Sequence, residues 1–274
     1  MSSRPEHYQA FQQFLERECG IVLGEGKQYL VDTRLSRLMR DGGYADLGQL
    51  VNKLTTSRDS SLVTRVVDAM TTNETLWFRD EYPFEALRKR ILPEFETRGT
   101  SSVKIWSAAC SSGQEPYSIS MIFEEYKSEK PACRLNLSIT ATDISETVLA
   151  AARAGRYDDI ALGRGLSDAR RTRFFDRGPD GWTIKPPLRS RVTFSFQNLL
   201  GDFTRLGRFD IIFCRNVLIY FSRDTKATII NRMAACLNPG GYLILGASES
   251  LNQISDRFEM VRLVGGGIIH RLKG

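Results

Sequence analysis

Between Val103 and Tyr126 the hydrophobic pattern changes period. Val103, Ile105, Trp106, Ala108 and Ala109 form a short apolar run, and Cys110-Ser111-Ser112-Gly113 is a turn of small residues. Beyond Glu115 the apolar residues Ile119, Ile122, Phe123 and Tyr126 recur at i, i+3, i+4 and i+7. The run predicts a strand and the later spacing one face of a helix. Strand, tight turn and helix is the opening unit of a nucleotide-binding α/β fold, where a ligand sits at the carboxyl end of the first strand, against the helix N-terminus.

Upstream, residues 7–70 show helical periodicity alone. Tyr8, Phe11, Phe14 and Leu15 mark a first helix that stops near Gly20. Val31, Leu35, Leu38 and Met39 mark a second, from about Lys27 to Arg40, ended by Gly42-Gly43. Leu47, Leu50, Val51 and Leu54 mark a third helix, and Leu62, Val63, Val66, Val67 and Met70 a fourth. Short helices with narrow apolar stripes make a small bundle that leans on something larger. Residues 71–75 are a polar connection that either closes over a ligand or simply caps a helix. An aromatic and basic stretch (Leu76 to Arg79) and a helix with Phe84, Leu87, Ile91 and Leu92 follow.

Downstream, Leu137, Ile139, Ala141 and Asp143 read as a second strand, and Ser145 as the N-cap of a helix with Val148, Leu149 and Ala152. Residues 164–191 break this rhythm. They carry eight Lys/Arg around Gly178-Pro179-Asp180-Gly181, a turn signal for a small antiparallel insert, and such inserts often carry partner recognition. Residues 192–196 and 209–214 are further strands, the latter apolar throughout, as in a strand buried on both faces. A helix with Ile229, Ile230, Met233 and Leu237 is expected to reach Pro239-Gly240-Gly241, ahead of a strand at 242–245 and a hairpin of 258–263 with 267–272. The expected organisation is an all-helical domain over residues 1–72 and an α/β domain over 73–274, with the small β insert at about 164–191.

Composition narrows the chemistry. The chain has 274 residues, 42% of them hydrophobic, and no run approaches the ~20 apolar residues of a membrane span. The N-terminus lacks the apolar core of a signal peptide, so a cytoplasmic location is expected. Five scattered cysteines without a C-x-x-C point to reduced thiols rather than zinc. With histidine only at His7 and His270, a His-based metal centre or a Ser-His-Asp hydrolase is disfavoured. The net charge is +6; up to Thr72 nine Lys/Arg balance nine Asp/Glu, so the surplus lies beyond. Lys27, Arg34, Arg37 and Arg40 project away from the apolar side of the second helix, as a solvated face or a patch for an acidic partner. No nucleic-acid motif accompanies them.

The Gly113 turn by itself is unspecific, since it has neither G-x-G-x-x-G nor a P-loop. Asp143 adds to it, because a carboxylate ending the second strand is where such folds bind ribose hydroxyls. The late strand, the helix running to Asn-Pro-Gly-Gly, the next strand and the terminal antiparallel pair form the layout of S-adenosylmethionine (SAM) methyltransferases. WSAACSSGQEPYS, TTNETLWFRD, FQNLL, FDIIFCRNVLIYF and LNPGGYLILGASES, in this order, strongly resemble the CheR-type chemotaxis-receptor glutamate O-methyltransferases over essentially the whole chain.

That resemblance implies a SAM-dependent Rossmann-like mixed sheet and transfer of a methyl group to chemoreceptor glutamates in adaptation, with S-adenosylhomocysteine as product and no metal. It implies cofactor contacts from Asn73, Thr75 and Arg79, from Glu115 and Asp143 to the amino-acid and ribose portions, from Asn198 and Leu199 beside the adenine, and from Arg215 and Asn216. Arg79 and Tyr220 resemble the pair beside the transferred methyl group. The bland readings are an Arg79 ion pair with Asp80 or Glu81, and a Tyr220 that is a core aromatic. A glutamate with a reference pKa of about 4.3 is already ionised, so a site without histidine suffices. The implied partner is the cytoplasmic domain of chemoreceptors, met by a monomer without nucleic acid or membrane insertion; in some family members the insert, which here holds Trp182, grips a receptor peptide tether. Cys110 and Cys214 read as small buried thiols without a catalytic role.

Two alternatives stay open. A methyltransferase acting on nucleic-acid amino groups usually carries Asn/Asp-Pro-Pro-aromatic after the fourth strand, where this chain has Arg215-Asn216-Val217-Leu218. A non-catalytic SAM-sensing adaptor would not need both Arg79 and Tyr220.

Overall fold

The computed structural model describes residues 4–57 and 59–274. Helices α1 (Pro5–Cys19), α2 (Gln28–Asp41), α3 (Leu47–Thr56) and α4 (Ser60–Met70) form the N-terminal bundle. Phe11, Phe14, Leu15, Leu35, Leu50 and Val66 close its core, each buried side chain contributing about 1.5–3 kcal/mol of transfer free energy. Asp46 and Asp59 start α3 and α4 by accepting the Gln49 and Leu62 amides at 2.9 and 3.0 Å, the N-cap role of short polar side chains.

After the connection come α5 (Tyr82–Ala86), a π-helical turn (Leu87–Ile91) and α6 (Leu92–Thr97). The apolar spacing predicts a single helix here. Its middle widens because Pro93 offers no amide for an ordinary helical bond. The remainder is β1 (Ser102–Ala108), α7 (Gln114–Glu129), β2 (Asn136–Asp143), α8 (Glu146–Ala154), β3 (Arg156–Tyr157), α9 (Asp159–Gly163), α10 (Asp168–Phe174), β4 (Phe175–Gly178), β5 (Gly181–Ile184), α11 (Pro186–Arg189), β6 (Val192–Phe196), β7 (Phe209–Cys214), α12 (Arg223–Ala235), β8 (Leu237–Leu245), β9 (Phe258–Arg262) and β10 (Ile268–Leu272).

Seven strands of the described residues form one sheet, in the order β6-β2-β1-β7-β8-β10-β9. The first five are parallel, and β10 runs antiparallel to both β8 and β9. This is the mixed sheet of the SAM-methyltransferase class, with an all-helical unit ahead of it. Alternate residues of the central strands bury to opposite faces: Ile105, Ile211 and Phe213 join the core on the α7 side, while Trp106, Ile212 and Cys214 join that of α12. A second sheet, β3-β5-β4, takes its first strand from residues 156–157, upstream of the basic 164–191 stretch. No helix of the described residues is long and apolar enough to cross a membrane.

One boundary differs from the periodicity. The last long helix ends at Ala235, and Leu237 with Asn238-Pro239-Gly240-Gly241 lies inside β8. Pairing with β7 starts at Phe209↔Leu237 and resumes at Ile211↔Tyr242 after a register break. Proline lacks a ladder donor and Gly240 has φ +70°, so this segment bulges out of the strand rather than capping a helix.

Candidate active site

Chain order reverses between β1 and β7, which opens a crevice at the carboxyl ends of the strands. One cavity there is lined together by Asn73, Thr75, Arg79, Glu115, Asp143, Asn198, Leu199, Arg215, Asn216 and Tyr220. Segments separated by up to about 150 residues thus meet at one place. Strain gathers with them. Phe78, Asp80, Glu81, Ala109, Ser111 and Asn216 all take φ between 47° and 66°, and Gln253 is the one such non-glycine elsewhere among the described residues. Each left-handed non-glycine costs on the order of 1–3 kcal/mol, and such cost concentrates where a ligand is handled.

Asp143 ends β2 and is only 6% exposed. Its Oδ2 accepts the Ser111 amide at 2.8 Å and its Oδ1 the Ser145 amide at 3.0 Å. Burial holds the carboxyl above its ordinary value, opposed by the amides of Ser145, Ser111 and Ile144. An ionised carboxylate accepts at both oxygens and has more acceptor sites than the Ser111 and Ser145 bonds fill, so it can still accept from a ribose hydroxyl. Leu199 and Ile144 on the same wall give an apolar surface for a flat ring.

Arg215, at the end of β7, has a side chain only 2% exposed and joins three groups. Nη1 donates to Glu115 Oε2 at 2.9 Å, and Nη2 to Asp80 Oδ2 at 2.9 Å and to the Arg79 carbonyl at 2.6 Å. The other oxygen of Glu115 accepts from Ser107 Oγ at 2.7 Å. The turn that carries Arg79 is therefore fixed from below by a buried arginine. Asp80 is taken by Arg215, so the expected alternative of an Arg79–Asp80 pair is not formed. Arg79 itself makes no salt bridge among the described residues, and its Nη1 reaches only the Glu74 carbonyl, at 3.4 Å.

The polar connection is braced from outside the cavity. Trp77 donates its backbone amide to the Arg164 carbonyl and its indole Nε1 to the Ala161 carbonyl, both at 3.0 Å. Ser111 Oγ donates to the Asn73 carbonyl at 2.8 Å, which ties the connection to the β1 turn.

The helical bundle also reaches the site. Asn198 Nδ2 donates to the Glu18 carbonyl at 2.7 Å, and the Val22 amide donates to the Tyr220 carbonyl at 2.9 Å. Gly20 makes the approach possible: at φ +77°, a Cβ there would lie 2.8 Å from the Phe221 ring. Ile21, Val22 and Leu23 thereby become a wall of the cavity. The sequence reading missed them, although three apolar residues outside any helical stripe were a visible signal. Cys19 and Cys110 also line the cavity, but all five cysteines are free and buried. Burial pushes Cys19 up to about 11 and Cys110 well above its ordinary range, so both stay thiols. Among the described residues no group of His, Cys, Asp or Glu is disposed to hold a metal.

Residues 73–265 match the family described as CheR methyltransferase, SAM binding domain, and residues 6–71 match CheR methyltransferase, all-alpha domain. The chain belongs to the CheR methyltransferase family. Chemotaxis protein methyltransferase 1 of Pseudomonas aeruginosa is 52% identical over 276 residues, covering 100% of both chains. The Vibrio cholerae protein of the same name is 53% identical over 269 residues, 98% of this chain and 97% of its own. The Escherichia coli chemotaxis protein methyltransferase is 34% identical, over 93% and 87%. With a SAM-binding domain and full-length relatives of this kind, the chain is a chemotaxis SAM methyltransferase.

The basic patch of this CheR-family chain is smaller than its sequence implies. Arg34 turns inward: its Nη1 donates to the Met70 and Thr71 carbonyls at 2.6 and 3.3 Å, and its Nη2 to Thr72 Oγ1 at 2.9 Å. It lines the cavity and ties α2 to the connection. Arg37, beside Asp41 at 3.6 Å, and Arg40 stay exposed. Helical spacing gave the face of α2, but not that a neighbouring chain of carbonyls would draw one guanidinium in.

Proposed function

We propose that this chain transfers the methyl group of SAM to glutamate side chains on the cytoplasmic domain of chemoreceptors, forming glutamyl methyl esters and S-adenosylhomocysteine in adaptation. The observation that carries this reading is Arg79. It is a guanidinium without a salt-bridge partner among the described residues, on the wall of the cavity that Tyr220 also lines. Such a group suits an anionic acceptor, because arginine holds a carboxylate by two parallel hydrogen bonds.

The cofactor assignment draws support from the same wall. Asp143 would accept from the ribose hydroxyls, Leu199 and Asn198 would border the adenine, and Asn73, Thr75, Glu115, Arg215 and Asn216 would surround the amino-acid end. Bound there, SAM supplies a methyl group on a positively charged sulfur. The acceptor is ionised at neutral pH and needs no base. Arg79 and the Tyr220 hydroxyl would orient it, while the cavity walls exclude water; alignment and desolvation together are worth several kcal/mol, on the order of 5. In this reading the protein acts as a cytoplasmic monomer, with residues 1–72 contributing receptor docking through Arg37 and Arg40, and residues 73–274 the transfer.

The test uses SAM labelled on its methyl group and a receptor cytoplasmic fragment, followed by mild alkali. Carboxyl methyl esters hydrolyse and release labelled methanol, and N-methyl groups do not. Base-labile label on the receptor is the expected result. Label that survives alkali would move the reading to another acceptor atom, and bound SAM without any transfer would favour an adaptor.

A further inference from the structure

Glu249 lies just after β8, half-buried and outside the cavity lining. Its carboxylate gathers three backbone amides: Oε2 accepts from Asn216 and from Gly246, and Oε1 from Leu218, each at 2.8 Å. Hydrogen bonds to an ionised acceptor are the strong ones. Two of these donors belong to the short segment between β7 and α12 that carries Asn216 at its start and Tyr220 at its end.

Leu218 and Phe221 anchor that segment in the core of the α12 side, while its polar backbone is left to few partners. Asn216 sits at φ +59°, a region that favours glycine. The Tyr220 amide donates to the Val217 carbonyl at 3.2 Å within a single 3-10 turn, and the Tyr220 carbonyl accepts from Val22. The fit against the following loop is close: a Cβ on Gly246 would lie 2.7 Å from Asn216 Nδ2 and 2.9 Å from Glu249 Oε2. One carboxylate therefore spans the two loops and fixes their spacing.

We infer that Glu249 is a positioning residue for methyl transfer, holding the Asn216–Tyr220 turn so that the Tyr220 hydroxyl faces the acceptor. The inference rests on the catalytic reading proposed above. Glu249 lies outside the cavity lining and acts through the Asn216 and Leu218 amides on Asn216 and Tyr220, which line it.

Glu249→Gln tests it, since an amide of the same shape sets its own N–H groups against backbone donors. With labelled SAM and the receptor fragment, kcat is expected to fall about 100-fold, the cost of roughly an ångström of misplacement. Calorimetric affinity for S-adenosylhomocysteine should change less than kcat, because cofactor contacts on the other strands stay intact. The decisive comparison is a cycle with Tyr220→Phe. If Glu249 acts through Tyr220, the double variant is scarcely slower than Tyr220→Phe alone. Losses that multiply, or a Glu249→Gln chain with wild-type kcat, overturn the inference. If Glu249→Gln does not unfold cooperatively, Gly246→Ala displaces the same turn from its other side. A selective fall in kcat then supports the inference, and an unchanged kcat overturns it. A wild-type chain that puts no base-labile label on the receptor overturns the catalytic reading and this inference together. Wild-type transfer matched by the variants overturns the inference alone.

Discussion

Arg215 and Glu115 stand a hundred residues apart in sequence and 2.9 Å apart in space, Nη1 of the arginine donating to Oε2 of the carboxylate. The same guanidinium holds Asp80, so one buried cation is shared by two carboxylates that converge from different segments. Removing it leaves both without their cation, Glu115 in the more buried position. Arg215→Met is expected to lower stability by about 3 kcal/mol, the usual cost of orphaning a buried charge. Urea unfolding followed by tryptophan fluorescence checks it. A midpoint close to that of the wild type would mean that the carboxylates rehydrate without help.

Asp143 gives a pH dependence with a defined sign. Burial, the largest cause, raises its carboxyl above the ordinary 3.8. The folded chain therefore takes up this proton at higher pH than the unfolded one. The resulting stability is present below the unfolded value and is lost as pH rises through the folded value. Binding of hydroxyls runs the other way, because protonation removes an ionised acceptor. Affinity for S-adenosylhomocysteine should weaken as pH falls through the raised folded-state value of this carboxyl, and Asp143→Asn should be weaker by about tenfold or more and lack that dependence. Calorimetry at constant ionic strength reads both. A wild-type affinity independent of pH would remove Asp143 from the ribose role.

The arginines of α2 separate into two classes. Arg37→Glu with Arg40→Glu should raise KM for the receptor by about threefold to tenfold at low salt and less at high salt, as expected for exposed charges. Cofactor affinity should be unaffected. Arg34→Ala should instead weaken cofactor binding, because the Met70, Thr71 and Thr72 oxygens that it holds lead directly into Asn73 and Thr75. If all three variants behave alike, the inward turn of Arg34 has no functional weight.

Thiol chemistry offers a check on packing. The five cysteines are buried and unpaired, and burial holds Cys19 near about 11. At pH 8 about one Cys19 side chain in a thousand is the reactive thiolate. The native protein should therefore react slowly with Ellman's reagent and the guanidinium-unfolded chain should react five times per molecule. Fast reaction of one native thiol would show that the cavity opens more readily than its packing implies.

The sequence by itself determined the elements and the side of the sheet where ligands gather. Period-2 and period-3.6 patterns are properties of the local backbone, so β1, α7, β2, β6 and β7 were legible close to their observed bounds. The Gly113 turn and Asp143 then marked the carboxyl ends. Tertiary structure decided what local pattern cannot encode. It turned Arg34 inward, gave Asp80 to Arg215 rather than Arg79, made a cavity wall of Ile21–Leu23 and folded Asn238 to Gly241 into β8. It also brought Glu249 under the Tyr220 turn. Each of these depends on which distant carbonyl, carboxylate or amide lies within about 3 Å, because a hydrogen bond fades beyond that distance and is blind to sequence separation.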